Sequence, residues 1–289
     1  MISSLESSRR GMVSPHTALY PEAPPTLGIV LRGFTRPDYD IWLGATEAAR
    51  EENFNVVTFV GRALASPDGF EGQANVIYDL IHPEQLTGAI LLTSGLGLYV
   101  GQEGMQEFLQ RFGSLPLVSL QMALPGVPSL LVDNYSGMRR VLDHLIDAHN
   151  YRRIAFLRGP VTHRGARERY RAYVDALNDH GIVYDPDLVT TPSQGWYNQE
   201  KIAGFLAGFG DRLGVDPEVI LGTSAGFAQQ ALTWLHSQGL RVPEDVALAG
   251  FDDFPAVGAM SPPMTTARVP FEEMGRLAVS RLLAQMRGE

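Results

Sequence analysis

Short apolar segments alternate with longer amphipathic stretches along the chain from Thr26 to its last residues. The short segments are rich in Val, Ile and Leu, which is typical of strands that are buried on both faces. The longer stretches carry apolar residues at helical spacing. The predicted strands lie at residues 27–31, 56–60, 88–93, 115–120, 130–132, 153–157, 188–191, 218–221 and 245–250.

Helices are predicted between these strands. Gly181 and Gly239 each directly follow a predicted helix, at the position where glycine commonly ends it. This alternation predicts parallel sheets that are covered by helices on both faces. Because the series restarts near residue 150, we expect two doubly wound α/β units, with four or five strands in the first and about four in the second. The helices are predicted at residues 37–53, 69–81, 101–112, 135–149, 166–180, 199–213, 227–238 and 272–286.

Composition and charge narrow the class of function. The chain has 23 Lys and Arg against 32 Asp and Glu, a formal net charge of −9, which argues against a nucleic-acid-binding module in these residues. It has no cysteine, which excludes disulfides, thiolate nucleophiles and cysteine-based zinc sites. No apolar run is long enough to cross a membrane and no secretory signal is visible, so we expect a cytoplasmic protein. Residues 1–25 hold five Ser and four Pro and are expected to form a disordered tail.

No motif in the sequence indicates catalysis. The glycines after the third strand do not form a dinucleotide-binding fingerprint, and Ser94 and Ser224 lack the residues of a nucleophile elbow. His144 and His149 are five positions apart, so they are not expected to share a helix face as a metal-binding pair would. We therefore expect no enzyme, no cofactor and no metal site.

The segments that directly follow the strands are the candidate ligand-binding positions. In open parallel sheets, ligands bind outside the carboxyl ends of the strands. Two such sheets that face each other make a cleft, which is a usual place for a small ligand. The candidate segments are residues 32–38, 93–97, 121–122, 133–134, 158–169, 196–197, 223–225 and 251–254.

Several motifs together resemble one protein family. They are VDNYSG at residues 132–137, YRRIAFLRGP at 151–160, RYRAY at 169–173, GIVYDP at 181–186, GLRVPEDVALAGFDD at 239–253, PPMTT at 262–266 and EMGR at 273–276. In this order and spacing they resemble the effector-binding core of LacI/GalR-type transcription regulators, which is similar to the type I periplasmic sugar-binding proteins. The resemblance covers about residues 26–288, and it is more specific in the second half of the chain than in the first.

The resemblance implies an architecture and a mode of action. Two α/β subdomains, residues 26–150 with 268–289 and residues 151–267, are joined by hinge strands near 150–151 and 266–268. A small-molecule effector, such as a sugar or a nucleobase, binds in the cleft between them. The family forms homodimers and acts through DNA, so a homodimer is expected here. DNA would be contacted only through a module that is not visible in this chain.

Two departures from the family leave alternatives open. No recognition helix can be identified before the first strand, and the chain stops directly after its final predicted helix. We expect either a domain from a longer regulator or a sensor that feeds a different output module after residue 289. A transport-type solute-binding protein and a dimer scaffold whose cleft has lost its ligand are the other candidates.

The resemblance also assigns ligand contacts, each with a structural alternative. Arg169 matches the family arginine that points into the cleft and holds a polar group of the ligand. The alternative is an ordinary surface arginine. Trp196 matches a cleft aromatic, with Tyr197 beside it, and either ring can belong to the core. Asp252 belongs to the Phe-Asp-Asp motif at residues 251–253, and the alternative is that its carboxylate only caps the turn after a strand. The full set of expected ligand-binding residues is Phe34, Tyr39, Trp42, Arg169, Trp196, Tyr197, Ser224, Asp252 and Phe271.

Two positions indicate what kind of ligand the cleft accepts. The family usually has Asn-Asp where this chain has Ser224-Ala225, and the Ala225 side chain cannot accept a hydrogen bond. Val269 stands where some sugar-binding members carry a polar residue. Both changes predict a less polar cleft, and therefore a less hydroxylated, an aromatic or an anionic ligand rather than a simple sugar.

Overall fold

Two parallel sheets are present in the computed structural model, which describes residues 24–192, 199–253 and 263–289. The first is five-stranded, in the order β2-β1-β3-β4-β5, and the second is three-stranded, in the order β6-β7-β8. All strand pairs in both sheets are parallel, as the sequence predicts. The strands are β1 (Thr26–Leu31), β2 (Asn55–Val60), β3 (Gly88–Leu91), β4 (Leu117–Leu120), β5 (Ser129–Leu130), β6 (Ile154–Leu157), β7 (Val219–Gly222) and β8 (Ala247–Ala249).

Helices connect the strands. 3₁₀ turns follow α2, α4 and α7, so the longer helices predicted there are each α-helical only in their first part. A π-helix, His144–Ala148, extends α5. The α-helices are α1 (Arg36–Glu51), α2 (Gly69–Ala74), α3 (Thr93–Leu96), α4 (Gly101–Leu109), α5 (Asn134–Asp143), α6 (Arg164–Asp179), α7 (Gln199–Ala207), α8 (Ala225–Ser237) and α9 (Phe271–Met286). None of the helices in the described ranges is long and apolar enough to cross a membrane.

One predicted strand, residues 188–191, is not a strand. A 3₁₀ turn, Pro186–Leu188, occupies its start, because the Asp185 side chain accepts a hydrogen bond from the Asp187 backbone N–H at 3.0 Å. Val189 then forms a single parallel bridge to Phe156 of β6. The second sheet therefore has three strands within the described residues instead of about four.

The last helix returns to the first sheet. Helix α9 lies against α1 and against strands β3 and β4. Arg276 of α9 forms ion pairs with Glu47 and Glu51 of α1. This agrees with the assignment of residues 268–289 to the first subdomain, although the domain boundaries themselves stay a prediction.

Two glycines let α1 and α9 approach closely. A Cβ atom at Gly44 would overlap the carbonyl oxygen of Glu272, and one at Gly275 would overlap the carbonyl oxygen of Ile41. Only glycine avoids both overlaps, so the helices cross with their backbones in contact. Inserting even one methyl group there must push the two helices apart.

The substitution Gly275→Ala tests this packing. We expect it to lower the free energy of unfolding by about 1–3 kcal/mol, because the extra methyl group overpacks a dense helix contact. Urea unfolding gives the measurement. The matched control is Gly204→Ala in α7, where an added Cβ has no described atom within 4 Å. That change should leave stability unchanged or raise it by up to about 1 kcal/mol, since alanine is the better helix former. Equal effects at both positions would contradict the proposed contact.

Candidate functional site

A cavity of about 360 Å³ lies between the carboxyl ends of the two sheets. Its volume is within the range of roughly 300–1,000 Å³ that small-molecule sites have. Most of its lining comes from segments that follow strands, as expected for open parallel sheets. The first sheet contributes Arg32, Ser94, Gln121 and Asn134, the second contributes His163, Arg169, Ser224 and Asp252, and α9 contributes Phe271.

Arg169 of α6 is buried at the centre of this cavity wall, with a relative exposure of 6%. Its Nε donates to Asn134 Oδ1 at 2.9 Å, and an Nη atom donates to the carbonyl oxygen of Thr223 at 2.8 Å. Its guanidinium carbon lies 3.7 Å from the ring centroid of Phe251, a cation–π contact. Asn134 follows the first sheet, whereas Thr223 and Phe251 follow β7 and β8. One side chain therefore connects both sheets.

Asp252 is the acidic partner of Arg169. Its Oδ1 lies 3.5 Å from an Nη atom of Arg169, and both side chains are buried. Burial raises the pKa of Asp252 and lowers the pKa of Arg169, and the attraction between the two charges only partly opposes these shifts. The pair is therefore not stabilised by its own attraction alone but depends on the surrounding hydrogen bonds.

The backbone of Asp252 is strained and firmly held. Its φ of 77° lies in the left-handed region, which is unfavourable for residues other than glycine. Its N–H donates to the carbonyl oxygen of Ala267 at 3.0 Å, and Thr266 Oγ1 donates to its carbonyl oxygen at 2.8 Å. Such strain persists where neighbouring structure over-determines it, and it is common at binding sites.

Asn134, the partner from the first sheet, is fixed from several sides. The preceding residue, Asp133, caps α5 by accepting a hydrogen bond from the Ser136 N–H at 3.0 Å, and this bond holds the pKa of Asp133 below its usual value. Asn134 Nδ2 donates to Glu168 Oε2 at 3.3 Å. A Cβ at Gly165 would lie 3.0 Å from the Asn134 amide, so α6 approaches closely here.

His163 contributes a neutral ring to the cavity. It caps the N-terminus of α6, where its Nδ1 accepts a hydrogen bond from the Ala166 N–H at 3.3 Å. Burial lowers the pKa of His163 to about 3, and the positive charges of Arg169 and Arg32 lower it further in the same direction. The imidazole is therefore uncharged at neutral pH, with its proton on Nε2.

The wall from the first sheet is polar. Asp38 is buried in the first turn of α1 and accepts a hydrogen bond from Thr35 Oγ1 at 2.6 Å. Burial raises the pKa of Asp38, although this hydrogen bond and the charge of Arg32 lower it. Ser94 Oγ donates to Gln121 Oε1 at 2.7 Å, and Gln121 has a left-handed φ of 67°.

Four of the expected ligand-binding residues meet at the cavity. Arg169, Ser224, Asp252 and Phe271 all line it. That they bind a ligand stays a prediction, but the structure places them where the resemblance implies. Arg169 is not a surface residue, and the Asp252 carboxylate faces Arg169 instead of capping a turn.

Three predicted aromatic residues are not part of the lining. Phe34, Tyr39 and Trp42 form a cluster of their own, with ring centroids 5.3–6.4 Å apart. Trp42 Nε1 donates to Thr58 Oγ1 of β2 at 3.0 Å, so this ring packs between α1 and the sheet edge. Their role in binding also stays a prediction. Trp196 and Tyr197 lie outside the described residues.

Several lining residues were not singled out from the sequence. Arg32, His163, Gln121 and Asn134 were included only as members of candidate segments, and Gln229 of α8 lies outside every one of them. The signal for the first four was their position directly after a strand. Nothing in the local sequence indicates Gln229, because its place on the cavity depends on the orientation of α8.

The expectation that His144 and His149 lie on different helix faces is wrong. The π-helix, His144–Ala148, has a wider turn than an α-helix and aligns residues five apart. The two Nε2 atoms lie 3.2 Å apart, and the rings pack edge to face. Within the described ranges, no group of three or more His, Cys, Asp or Glu residues is placed to hold a metal ion.

Arg169→Met tests the buried ion pair. We expect the free energy of unfolding to fall by about 3–5 kcal/mol, because Asp252 then stays buried without its positive partner. The control in the same helix is Arg164→Met, which breaks a more exposed pair with Glu168 at 2.8 Å. Such a pair contributes only about 0.2–1 kcal/mol. Chemical denaturation measures both variants, and similar small losses in the two would contradict the central role of Arg169.

His163→Asn tests the pKa of His163. Asparagine keeps a capping acceptor but does not titrate. Because the folded pKa is about 3 and the unfolded value is near 6.5, only the unfolded chain takes up this proton between these values. Acid therefore destabilises the native protein relative to the variant, by at most about 1.4 kcal/mol per pH unit. Unfolding curves from pH 7 to pH 4 should diverge, and parallel curves would contradict the lowered pKa.

Comparison with known proteins agrees with this geometry. The family model described as "Periplasmic binding protein-like domain" matches residues 142–289. The HTH-type transcriptional regulator CelR of Thermobifida fusca is 30% identical over 266 residues, which cover 89% of this chain and 72% of CelR.

Solved structures show the same fold. A LacI family transcriptional regulator from Mycobacterium smegmatis superposes with a TM-score of 0.74 at 23% identity, covering 91% of each chain. A structure described as a transcriptional regulator CelR–cellobiose complex gives a TM-score of 0.73 at 26% identity, covering 93% of this chain and 80% of that one. These matches confirm the resemblance drawn from the motifs. The chain belongs to the LacI family of transcription regulators and contains the periplasmic-binding-protein-like core of that family.

Proposed function

We propose that this chain senses a small molecule in the cleft between its two sheets and passes the change to a transcriptional output. The observation that carries the proposal is the placement of Arg169, which is hydrogen-bonded to residues that follow strands of both sheets. A ligand in the cavity would contact Arg169 and, with it, both sides of the cleft. CelR, a relative of this chain, has been solved in complex with cellobiose, which supports a sugar or a related effector.

The proposed mechanism is a shift between open and closed arrangements of the two sheets. A ligand that contacts both walls binds the closed arrangement more tightly and increases its population. The connections that must bend lie near residues 150–151 and 266–268. Asn150 has a left-handed φ of 58°, and Thr266 and Ala267 hold the backbone of Asp252. Bending near 266–268 would change the position of Asp252, which follows the second sheet, relative to α9, which packs against the first sheet.

A homodimer is part of the proposal. Phe70, Val76 and Leu80 are more than half exposed along one segment of the first subdomain, and Val57 of the edge strand β2 is 44% exposed. Exposed apolar side chains in one region support an interaction surface.

DNA would be bound through another module, since the chain itself carries a net charge of −9. We propose a cytoplasmic regulator that does not transform its ligand.

A thermal-shift screen tests this function. The panel contains sugars, polyols, purines, nucleosides and small organic acids. A ligand at 100 times its Kd stabilises the native state by about 2.7 kcal/mol. For a chain of this size, each kcal/mol raises the melting temperature by roughly 2–4 °C, so a hit is readily seen.

Two variants show whether a hit binds in the cleft. Gln229→Trp places a large ring at an exposed position on the cavity wall and should abolish binding. Ser237→Trp places the same ring at an exposed position of α8 outside the lining and should bind normally. A flat result across the panel, or turnover of a bound ligand, would contradict the proposed sensor.

A further inference from the structure

The polar atoms of the cavity wall show what the ligand must offer. Among the described residues, four buried side-chain atoms lack a hydrogen-bond partner. Two belong to residues that line the cavity, namely Arg32 Nε and Asp252 Oδ1, and a third, Thr223 Oγ1, belongs to the residue whose carbonyl group holds Arg169. Leaving such an atom unpaired costs about 1–3 kcal/mol, so native proteins rarely do it without a reason.

Arg32 is the charged group for which a partner is missing. Its buried Nε atom has no hydrogen-bond partner among the residues that the structure describes, although its charge acts on Asp38. The other two arginines of the lining do have partners. Arg169 is paired with Asp252, and Arg36 Nε lies 3.3 Å from Asp40 Oδ2.

The fold makes room for Arg32 at this place. The residue directly follows β1, at the carboxyl end of a strand in the middle of the first sheet. A Cβ atom at Gly95 would lie 2.8 Å from Arg32 Nε and 2.9 Å from its Cδ. A side chain at position 95 would therefore force Arg32 to shift. Glycine at this position leaves room for the arginine as it lies.

Arg32 Nε and Asp252 Oδ1, the two lining atoms without a hydrogen bond, favour opposite kinds of ligand group. A guanidinium binds the two oxygens of a carboxylate or a phosphate through parallel hydrogen bonds. Asp252 Oδ1 lies 3.5 Å from Arg169 and can accept a closer hydrogen bond from a donor such as a hydroxyl group. His163 is neutral at physiological pH, so it adds no second positive charge to the wall. A neutral sugar would satisfy Asp252 but would leave Arg32 without an anion.

We propose that the effector is an acidic polyol, such as a sugar acid, whose anionic group binds Arg32 and whose hydroxyl groups bind Asp252 and Arg169. This inference rests on the proposed sensing function and narrows its ligand class. From Ala225 and Val269 we expected a less hydroxylated, an aromatic or an anionic ligand. The proposed acid is anionic, in agreement with one of these alternatives. It also carries hydroxyl groups, which differs from another, because a hydroxyl group can donate to the acceptor on Asp252.

Isothermal titration calorimetry with matched ligands tests the proposal. The pairs are D-glucose with D-gluconate and D-glucuronate, and cellobiose with cellobionate, and D-glucose 6-phosphate forms the phosphate arm. We expect an acid to bind at least about tenfold more tightly than its neutral partner, the size of one charge-assisted hydrogen bond. Preference for the carboxylates or for the phosphate identifies which anionic group the site takes.

Variants assign the preference to Arg32. Arg32→Met should remove the difference between acid and neutral sugar, and Arg32→Lys should keep part of it because the charge remains. Arg50→Met removes a charge from an exposed position of α1 and should leave the preference intact. Should either Arg32 variant fail to fold, the comparison of ligands on the unaltered protein decides alone.

The outcomes separate this inference from the proposed function. A neutral sugar or nucleoside that binds as tightly as any acid would overturn the acidic ligand while leaving a ligand-sensing cleft. An acid preference that persists in Arg32→Met would overturn the role of Arg32. If no compound of any class binds, both the acidic ligand and the sensing function are contradicted.

Discussion

The arrangement of the two sheets around the cleft depends on the burial of one guanidinium group. Removing the Arg169 charge from water is expensive, and the protein offsets this with contacts from several directions. These contacts are the Asn134 amide, the Thr223 carbonyl, the Phe251 ring and the Asp252 carboxylate. The residues that make these contacts follow three different strands, β5, β7 and β8. The strand ends must therefore hold their relative positions for Arg169 to be tolerated.

The Asp252 carboxylate at the centre of the cleft does not have a full set of hydrogen bonds. The Asp252 carboxylate lies 3.5 Å from the guanidinium, beyond a good hydrogen bond, and its Oδ1 has no hydrogen-bond donor among the described residues. The pKa of each partner is displaced toward the neutral form, so burial outweighs their mutual attraction. A ligand that donates a hydrogen bond to Asp252 would improve the pair as well as bind to it. Ligand binding would therefore be coupled to the stability of this buried ion pair.

The fold could be predicted from the sequence because it depends on regular patterns. Buried parallel strands such as β1 and β3 are continuous apolar runs, and the strand–helix order fixes the class of the fold. The exceptions arise from local hydrogen bonds that the pattern does not show. Asp185 forms a turn where a strand was expected, and a π-helix brings His144 to His149.

The site could be predicted only in part. Positions after strands were predicted from topology, and Arg169 and Asp252 from the family motifs. The state of each side chain was not predictable, because it depends on residues far apart in the sequence. Arg32 at the cavity wall depends on Gly95, and the neutral form of His163 depends on burial beside Arg169. Such pairs are set by tertiary packing, for which a single sequence gives no signal.

Helix α9 shows how the cavity can be connected to the rest of the molecule. Its first residue, Phe271, lines the cavity, and one turn later Gly275 lies against the backbone of α1. The close contact leaves the helix pair little freedom to slide, so α9 moves with the first sheet. The segment before it holds the backbone of Asp252 through Thr266 and Ala267. In the proposed closing motion, the bend near residues 266–268 would therefore lie between the segment that holds Asp252 and helix α9, close to Phe271 in the cavity lining.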